Sequence, residues 1–349
     1  MKKTLIILAP GFPANETDIN CLPMQQSFVR TLKRIYPKLE IIILSFQYPY
    51  FKNKYDWYGN AVIPLSGKNK GGLSKLWLRK KIYSVLKNIR RTNKIVAILS
   101  CWYGECALTG KRFASKYGLK HYCWLLGQDA REGNEYVRKI KPRPDELIAL
   151  SDFLQEEFEK NHGIKPAHVI PPGMDEQLYT PKNRVRDIDL LGVGSLLPLK
   201  RYDTFLEIVY ELKKNIPGIK AVLCGCGSEE TKLQLQLNEL GLIDNVRMTG
   251  EIPYHEVLLL MQRSKILLHP SSYEGFSGVC MEAFYSGAHV VSFCRAMKKE
   301  INQWHIVQSK DEMKKKALDI LQVSNVKFEN ILEYKMEDTV RKMMEIFNS

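Results

Sequence analysis

The sequence predicts two α/β domains, each a doubly wound sheet of parallel strands, facing one another across a cleft. Three observations carry that expectation. Short apolar runs alternate with amphipathic stretches along the chain, the pattern of parallel strands buried on both faces and covered by helices. A break over residues 168–183, HVIPPGMDEQLYTPKN, interrupts the alternation, which then restarts. A length of 349 residues suits two ordinary domains.

The elements follow in order. The runs TLIILA (4–9), EIIILSF (40–46), KIVAILS (94–100), HYCWLL (121–126) and ELIALS (146–151) read as buried strands. Met24–Tyr36 and Leu73–Arg91 lie between them as amphipathic helices. After the break come DIDLLGVG (187–194), KAVLCGCG (220–227), VRMTG (246–250), KILLHP (265–270) and AHVVSF (288–293). The expected organisation is a first domain over 1–172, a linker over 173–185 and a second domain over 186–326. A charged amphipathic helix over 327–349 is expected to return to the first domain.

Composition narrows the class. The eight cysteines form no CxxC pair, and Cys224-Gly225-Cys226 has no partners at zinc spacing, so reduced thiols are expected. The start, MKKTLIILAPGFP, has an apolar core too short for a signal peptide, and Pro10 and Gly11 end it. The expected location is cytoplasmic, with peripheral contact to the inner face of the membrane left open. The net charge of +14 is uneven: residues 1–172 carry +15 and residues 173–349 carry −1. An anionic partner is therefore expected for the first half.

Ligands of open parallel sheets bind beyond the carboxyl ends of the strands, so motifs just after strands carry most weight. In GVGSLLPLKRYDTF, Gly192 and Gly194 end a strand and Lys200 and Arg201 precede a helix. Such a loop offers amides and cations to an anion; a solvated basic loop is the alternative. Gly225 and Gly227 also end a strand, but a lone GxG signals little more than a tight turn.

The sharpest segment is SSYEGFSGVCMEAFYSG. A helix is expected to start near Ser277 or Gly278 and to stop at Gly287. Its free amides and positive dipole end suit phosphate oxygens. Glu282 follows Gly278 by four residues, about 6 Å along a helix axis. A carboxylate there accepts from two vicinal hydroxyls, as on a ribose. Glu274, before the helix, would face whatever lies beyond the phosphates. The segment therefore reads as a site for ribose, diphosphate and sugar in sequence.

These residues resemble the retaining glycosyltransferases of family four, which have the GT-B fold. EGFSGVCME is similar to that family's E-x7-E motif, and the resemblance covers most of Asp187–Phe293. VIPPGMDEQLYTP resembles the family's linker. The resemblance implies that Glu282 binds the nucleotide ribose and Glu274 the donor sugar. It places Phe276, Ser277 and Gly278 on sugar and diphosphate through their backbone, and Lys200 on the diphosphate. Gly194 and Arg201 would help with the phosphates, and Gly250 and Ile252 would meet the base. The resemblance implies a nucleotide-sugar donor, UDP- or GDP-linked, no cofactor and no metal. The acceptor would be a saccharide or a lipid-linked saccharide. No enzymatic nucleophile is required in the mechanism it implies.

The chain departs from the family at several points. Ser195 stands where the family commonly has arginine, which Arg201 could replace. The family's HGxD appears as LGQD, Leu126 to Asp129, with Gln128 the candidate substitute for the histidine. The stretch CRAMKKEINQWHIV lacks the family's glycine-rich loop. The first half resembles the family only in outline. In APGFPANETD, Pro10, Gly11 and Pro13 shape a loop near the ligands, and Asn15, Glu16 and Asp18 could touch an acceptor. Gln128, Asp129, Arg131 and Asn134 are polar residues of the type that lines a cleft, with Asp129 the candidate nearest the chemistry. Asp187 and Asp189 imitate a metal-binding DxD but open a strand, which makes them structural.

Residues 67–94 hold ten Lys+Arg and no acid, and no acid occurs from Trp57 to Gly104. Leu73, Leu76, Trp77, Tyr83, Leu86 and Ile89 are expected to share one helical face. Two readings stay open: docking on an anionic membrane surface, or a helix packed on the sheet with a solvated basic face. Nucleic acid is not expected, because no recognition module accompanies the charge. An epimerase of the same fold and a binding module without chemistry are the alternatives to a transferase.

Overall fold

The first apolar run becomes strand β1 (Lys3–Gly11), with α1 (Pro23–Ile35) and β2 (Glu40–Tyr48) after it. This is a computed structural model, and it describes every residue except Leu178 and Asn183. Those two positions of the expected 173–185 linker lie outside the described residues. The chain divides into unit 1, Met1–Asp175 with Tyr334–Ser349, and unit 2, Glu176–Glu333.

Unit 1 continues with β3 (Tyr55–Trp57), β4 (Asn60–Pro64), α2 (Gly72–Thr92), β5 (Lys94–Cys101), α3 (Glu105–Tyr117) and β6 (His121–Leu125). Then follow α4 (Glu135–Ile140), β7 (Leu147–Ala149), α5 (Asp152–His162) and β8 (His168–Val169). Among the described residues its sheet has the order β3-β4-β2-β1-β5-β6-β7-β8. All neighbours are parallel except β3 and β4, an antiparallel edge hairpin. Alternation sets the two faces. Ile6 and Leu8 of β1 join Ile82, Leu86 and Ile89 of α2 and Phe113 of α3 in one core.

Unit 2 runs β9 (Ile188–Val193), α6 (Tyr202–Lys213), β10 (Ala221–Cys224), α7 (Glu230–Glu239), β11 (Val246–Gly250), α8 (Tyr254–Arg263) and β12 (Ser264–His269). It ends with α9 (Gly278–Tyr285), β13 (His289–Ser292), β14 (Trp304–Ile306) and α10 (Lys310–Gln322). Among the described residues the strand order is β11-β10-β9-β12-β13-β14, all parallel. Leu190, Phe205, Leu223, Ile266 and Val291 belong to one buried cluster beneath α6 and α10.

The last helix, α11 (Met336–Asn348), belongs to unit 1. It buries Val340, Met343 and Phe347 and packs against α1 and β5. Arg34 of α1 pairs with Asp175 at 3.2 Å and with Glu337 of α11 at 3.3 Å, tying the end of the first segment to the returning helix. Gly173 is required there, because a Cβ would lie 2.0 Å from the Lys335 carbonyl carbon.

Two expectations are corrected. The terminal helix does not begin at Lys327: residues 327–335 are not helical. Their backbone is bonded outward, Ile331 N–H to the Phe284 carbonyl at 2.9 Å and Met174 N–H to the Tyr334 carbonyl at 2.9 Å. The six apolar residues of α2 do not share one face either. Leu86 and Ile89 are buried with Ile82, whereas Leu73, Leu76 and Trp77 are exposed. The helix packs on the sheet only from about Leu78 onward. Among the described residues, no helix is long and apolar enough to cross a membrane.

Candidate active site

The loops that follow β9, β10, β11 and β12 leave the carboxyl edge of the unit 2 sheet, where such sheets bind ligands. Two of them touch backbone to backbone. Gly225, at φ +137°, sits so near Gly194 that a Cβ would lie 1.9 Å from the Gly194 carbonyl oxygen. The GxG after β10 thus has a packing reason. A turn at Pro198–Lys200 follows, and the loop after β12 docks on it through Ser272 N–H to the Leu199 carbonyl at 3.0 Å.

That docking brings Lys200 to Glu274. Lys200 Nζ lies 2.5 Å from Glu274 Oε2. The buried His269, at the end of β12, places Nε2 3.5 Å from the same oxygen. Burial alone would raise the Glu274 carboxyl. The His269 bond and the Lys200 charge outweigh it and hold the carboxyl below its usual value. Glu274 is therefore an anion braced by two groups.

Helix α9 begins three residues after Gly275. Ser277 is its N-cap, and its hydroxyl accepts from Cys280 N–H at 3.4 Å. Gly287, at φ +82°, stands just past its end. Gly278 is exposed at the N-terminus, beside half-buried Phe276. One turn in, half-buried Glu282 accepts from Tyr254 Oη at 2.9 Å. Burial pushes the Glu282 carboxyl up, and the tyrosine bond opposes that rise. Gly250, at φ +68°, and half-buried Ile252 end the strand and loop that lead to Tyr254.

Other expected residues fall differently. Ser195 is exposed. Arg201 adopts φ 52° and places its guanidinium over the Phe293 ring, 5.4 Å from the centroid. Asp187 binds Arg263 at 2.8 Å, and Asp189 binds Lys265 at 2.8 Å and the Lys220 amide at 2.9 Å. The DxD look-alike is thus a pair of strand-edge ion pairs.

In unit 1, Gly11 ends β1. The loop after it is largely bonded to itself and its neighbours. Asn15 Oδ1 accepts from Thr17 and Asp18, Glu16 accepts from Tyr58 N–H, and Asp18 accepts from Ala14 N–H and Tyr48 Oη. Their carboxylates and amide oxygen brace the loop. Gln128 and Arg131 are exposed. Asp129 is buried, and its Oδ2 accepts from Leu126 N–H at 2.6 Å. Asn134 donates to the Asp129 carbonyl at 3.0 Å and caps α4. Burial pushes the Asp129 carboxyl up to about 7, against the bonds it accepts from the Leu126 and Tyr103 amides.

Two residues at the site were missed in the sequence, His269 and Tyr254. The two available signals were a polar side chain closing an apolar strand and another opening a helix after Pro253. Both acquire meaning only through carboxylates that the fold brings to them.

Residues 176–328 match the family model described as glycosyl transferases group 1. Unit 2 is therefore similar to the glycosyl transferases of group 1. An uncharacterized glycosyltransferase of Haemophilus influenzae is 26% identical over 288 residues, covering 77% of this chain and 78% of its own length. The MMP alpha-(1->4)-mannosyltransferase of Mycolicibacterium hassiacum is 27% identical over 175 residues. This match covers 45% of the chain and 39% of that enzyme, well under half of its length. The crystal structure of Anabaena HepE, solved with UDP and glucose, superposes with a TM-score of 0.72 at 16% identity, covering 99% of both chains. At that identity the likeness establishes the fold alone, two Rossmann-like domains of the GT-B class.

Proposed function

We propose that the protein is a retaining, metal-independent hexosyltransferase that takes its sugar from a nucleotide-sugar donor. The observation that carries the proposal is the Lys200–Glu274 contact, 2.5 Å long, beside the exposed N-terminus of α9. A carboxylate and an ammonium held together at a helix N-terminus suit a sugar diphosphate. The ammonium has three donors, so its bond to Glu274 leaves it able to bind phosphate oxygens. Glu274 accepts from sugar hydroxyls. Glu282, oriented by Tyr254, accepts from the ribose, and the Gly250–Ile252 backbone meets the base. UDP is the favoured nucleotide, since the Anabaena neighbour was solved with UDP and glucose.

The chemistry needs the anomeric carbon–oxygen bond to the β-phosphate to break while a bond to an acceptor oxygen forms. Negative charge develops on the departing phosphate. Lys200 and the α9 terminus stabilise it, which lowers the barrier. The acceptor hydroxyl attacks from the face that the phosphate leaves, and the phosphate takes its proton. The acceptor is a saccharide or a lipid-linked saccharide, met by unit 1 through the loop after Gly11 and the segment Gln128–Arg131, with Asp129 holding that segment.

Purified protein incubated with UDP- and GDP-sugars tests the reading, with thermal shift for binding and nucleotide release for turnover. Wild type is expected to release UDP with an acceptor and the Glu282→Ala variant to lose donor binding. A changed sugar released without an acceptor identifies an epimerase. Binding without turnover identifies a module that has lost its chemistry.

A further inference from the structure

The first two turns of α2 carry an unusual surface. Leu73 is 75% exposed, Leu76 50% and Trp77 70%. Apolar side chains this exposed on consecutive turns are uncommon, and grouped ones mark contact sites. The buried part of α2 begins one turn later. The exposed side chains therefore serve no core.

A second segment adds to it. In the loop between β2 and β3, Tyr50 is 61% and Phe51 41% exposed. The Tyr50 carbonyl accepts from Ser66 Oγ at 2.8 Å, and Lys68 Nζ stands 5.8 Å from the Tyr50 ring centroid. Burial and then the charge of Lys52 hold the Lys81 ammonium below its usual value, so Lys52 lies near Lys81. Leu73, Trp77 and Lys81 follow one another at i, i+4 and i+8 along the helix, a single stripe. Lys80 Nζ lies 5.2 Å from the Trp77 ring centroid.

The charge that α2 and its flanking loops carry has one sign. No acid occurs from Trp57 to Gly104. Lys75 and Arg79 turn to Glu105 of α3, at 2.7 and 2.6 Å, whereas Lys80 and Lys81 border the apolar stripe, with Lys52 near Lys81 and Lys68 beside Tyr50. A protein partner or a second copy of this basic chain would have to supply the matching acids. A bilayer of anionic phospholipid offers both a negative face and an apolar layer.

We propose that Leu73, Leu76 and Trp77, with Tyr50 and Phe51 and the lysines at their border, form a surface that docks on an anionic bilayer. The apolar side chains enter the headgroup boundary and the ammonium groups stay with the phosphates. Because α2 follows β4, its N-terminus stands at the carboxyl edge of the unit 1 sheet, the edge where the loops after β1 and β6 also lie. A lipid-linked acceptor would approach those loops from the bilayer plane; that consequence alone rests on the proposed function.

The full chain is sedimented with vesicles of phosphatidylcholine alone and of equimolar phosphatidylcholine and phosphatidylglycerol. Binding is expected only to the second, and weaker in high salt. The Leu73→Ser/Leu76→Ser/Trp77→Ser variant should lower it by about tenfold or more while its melting temperature stays unchanged. The Lys80→Gln/Lys81→Gln variant should lower it less. Negligible binding to both vesicle types overturns the proposal, and so does undiminished binding of the triple serine variant. A concentration-dependent dimer that the serine variant abolishes would assign the surface to a second copy instead.

Discussion

Lys200 Nζ lies 2.5 Å from Glu274 Oε2 across 74 residues of sequence. The loop after β12 sits on the Pro198–Lys200 turn, so the pair is set by the Ser272–Leu199 hydrogen bond before any ligand arrives. Truncating either partner removes an oriented charge. We expect Lys200→Ala and Glu274→Ala each to lower turnover by about 10²-fold or more. Because the two touch, the double variant should lose less than the product of the single losses. Steady-state kinetics of all three variants checks this; near-normal turnover in both single variants removes the assignment.

Tyr254 donates its phenol to Glu282 at 2.9 Å. Its phenol orients one carboxylate oxygen and opposes the rise in pKa that burial causes. Tyr254→Phe deletes only the hydroxyl. The donor KM is expected to rise by about tenfold, the scale of one hydrogen bond to a charged group, with kcat little changed. The pH at which donor binding is lost should also move upward. A fall in kcat at constant KM would place Tyr254 in the chemical step instead.

The sequence revealed what depends on local spacing. The apolar runs at 4–9 and 94–100 were long enough to read as β1 and β5. The positions of Glu274 before α9 and of Glu282 one turn inside it could be read from glycines and helix geometry alone. The β3–β4 hairpin is not legible in the sequence because its strands are three and five residues long. Its turn uses Tyr58 at φ 46° with Gly59, not the Asn-Gly or Asp-Gly pair that announces such turns. The amphipathic pattern of α2 was real, but periodicity does not tell how far along a helix the sheet extends. Residues 327–335 look helical in isolation, and their backbone finds partners elsewhere. Tyr254 and His269 belong to contacts across 28 and 5 residues that only the assembled unit 2 creates.

Leu126 stands where the resembling family has histidine. Its side chain is half-buried, but its backbone amide makes the structural contact, donating to Asp129 Oδ2 at 2.6 Å. That bond does not depend on the side chain. Leu126→His should therefore fold normally and leave turnover within about threefold if exposed Gln128 has assumed the histidine's role. A large loss of donor binding would show that Leu126 itself is needed.

Gly225 allows two loops to meet. Alanine there faces φ +137° and a carbonyl oxygen 1.9 Å from its Cβ. Gly241, at φ +60°, has open space around its Cβ position. Gly225→Ala is expected to cost at least about 2 kcal/mol and Gly241→Ala about 1 kcal/mol. Urea melts of the two variants measure the gap, and equal losses would deny the loop contact.

Asp129 ties stability to pH. Its carboxyl rises from 3.8 to about 7 on folding because it is buried, despite two amide bonds. The folded state therefore holds the proton more tightly than the unfolded chain. The resulting stability is fully present below 3.8 and is lost as pH rises through about 7. Asp129→Asn keeps an acceptor for Leu126 N–H and removes the titration. Between about pH 5 and pH 8 the melting temperature of wild type should fall relative to that of the variant. Parallel curves would mean that Asp129 is ionised throughout.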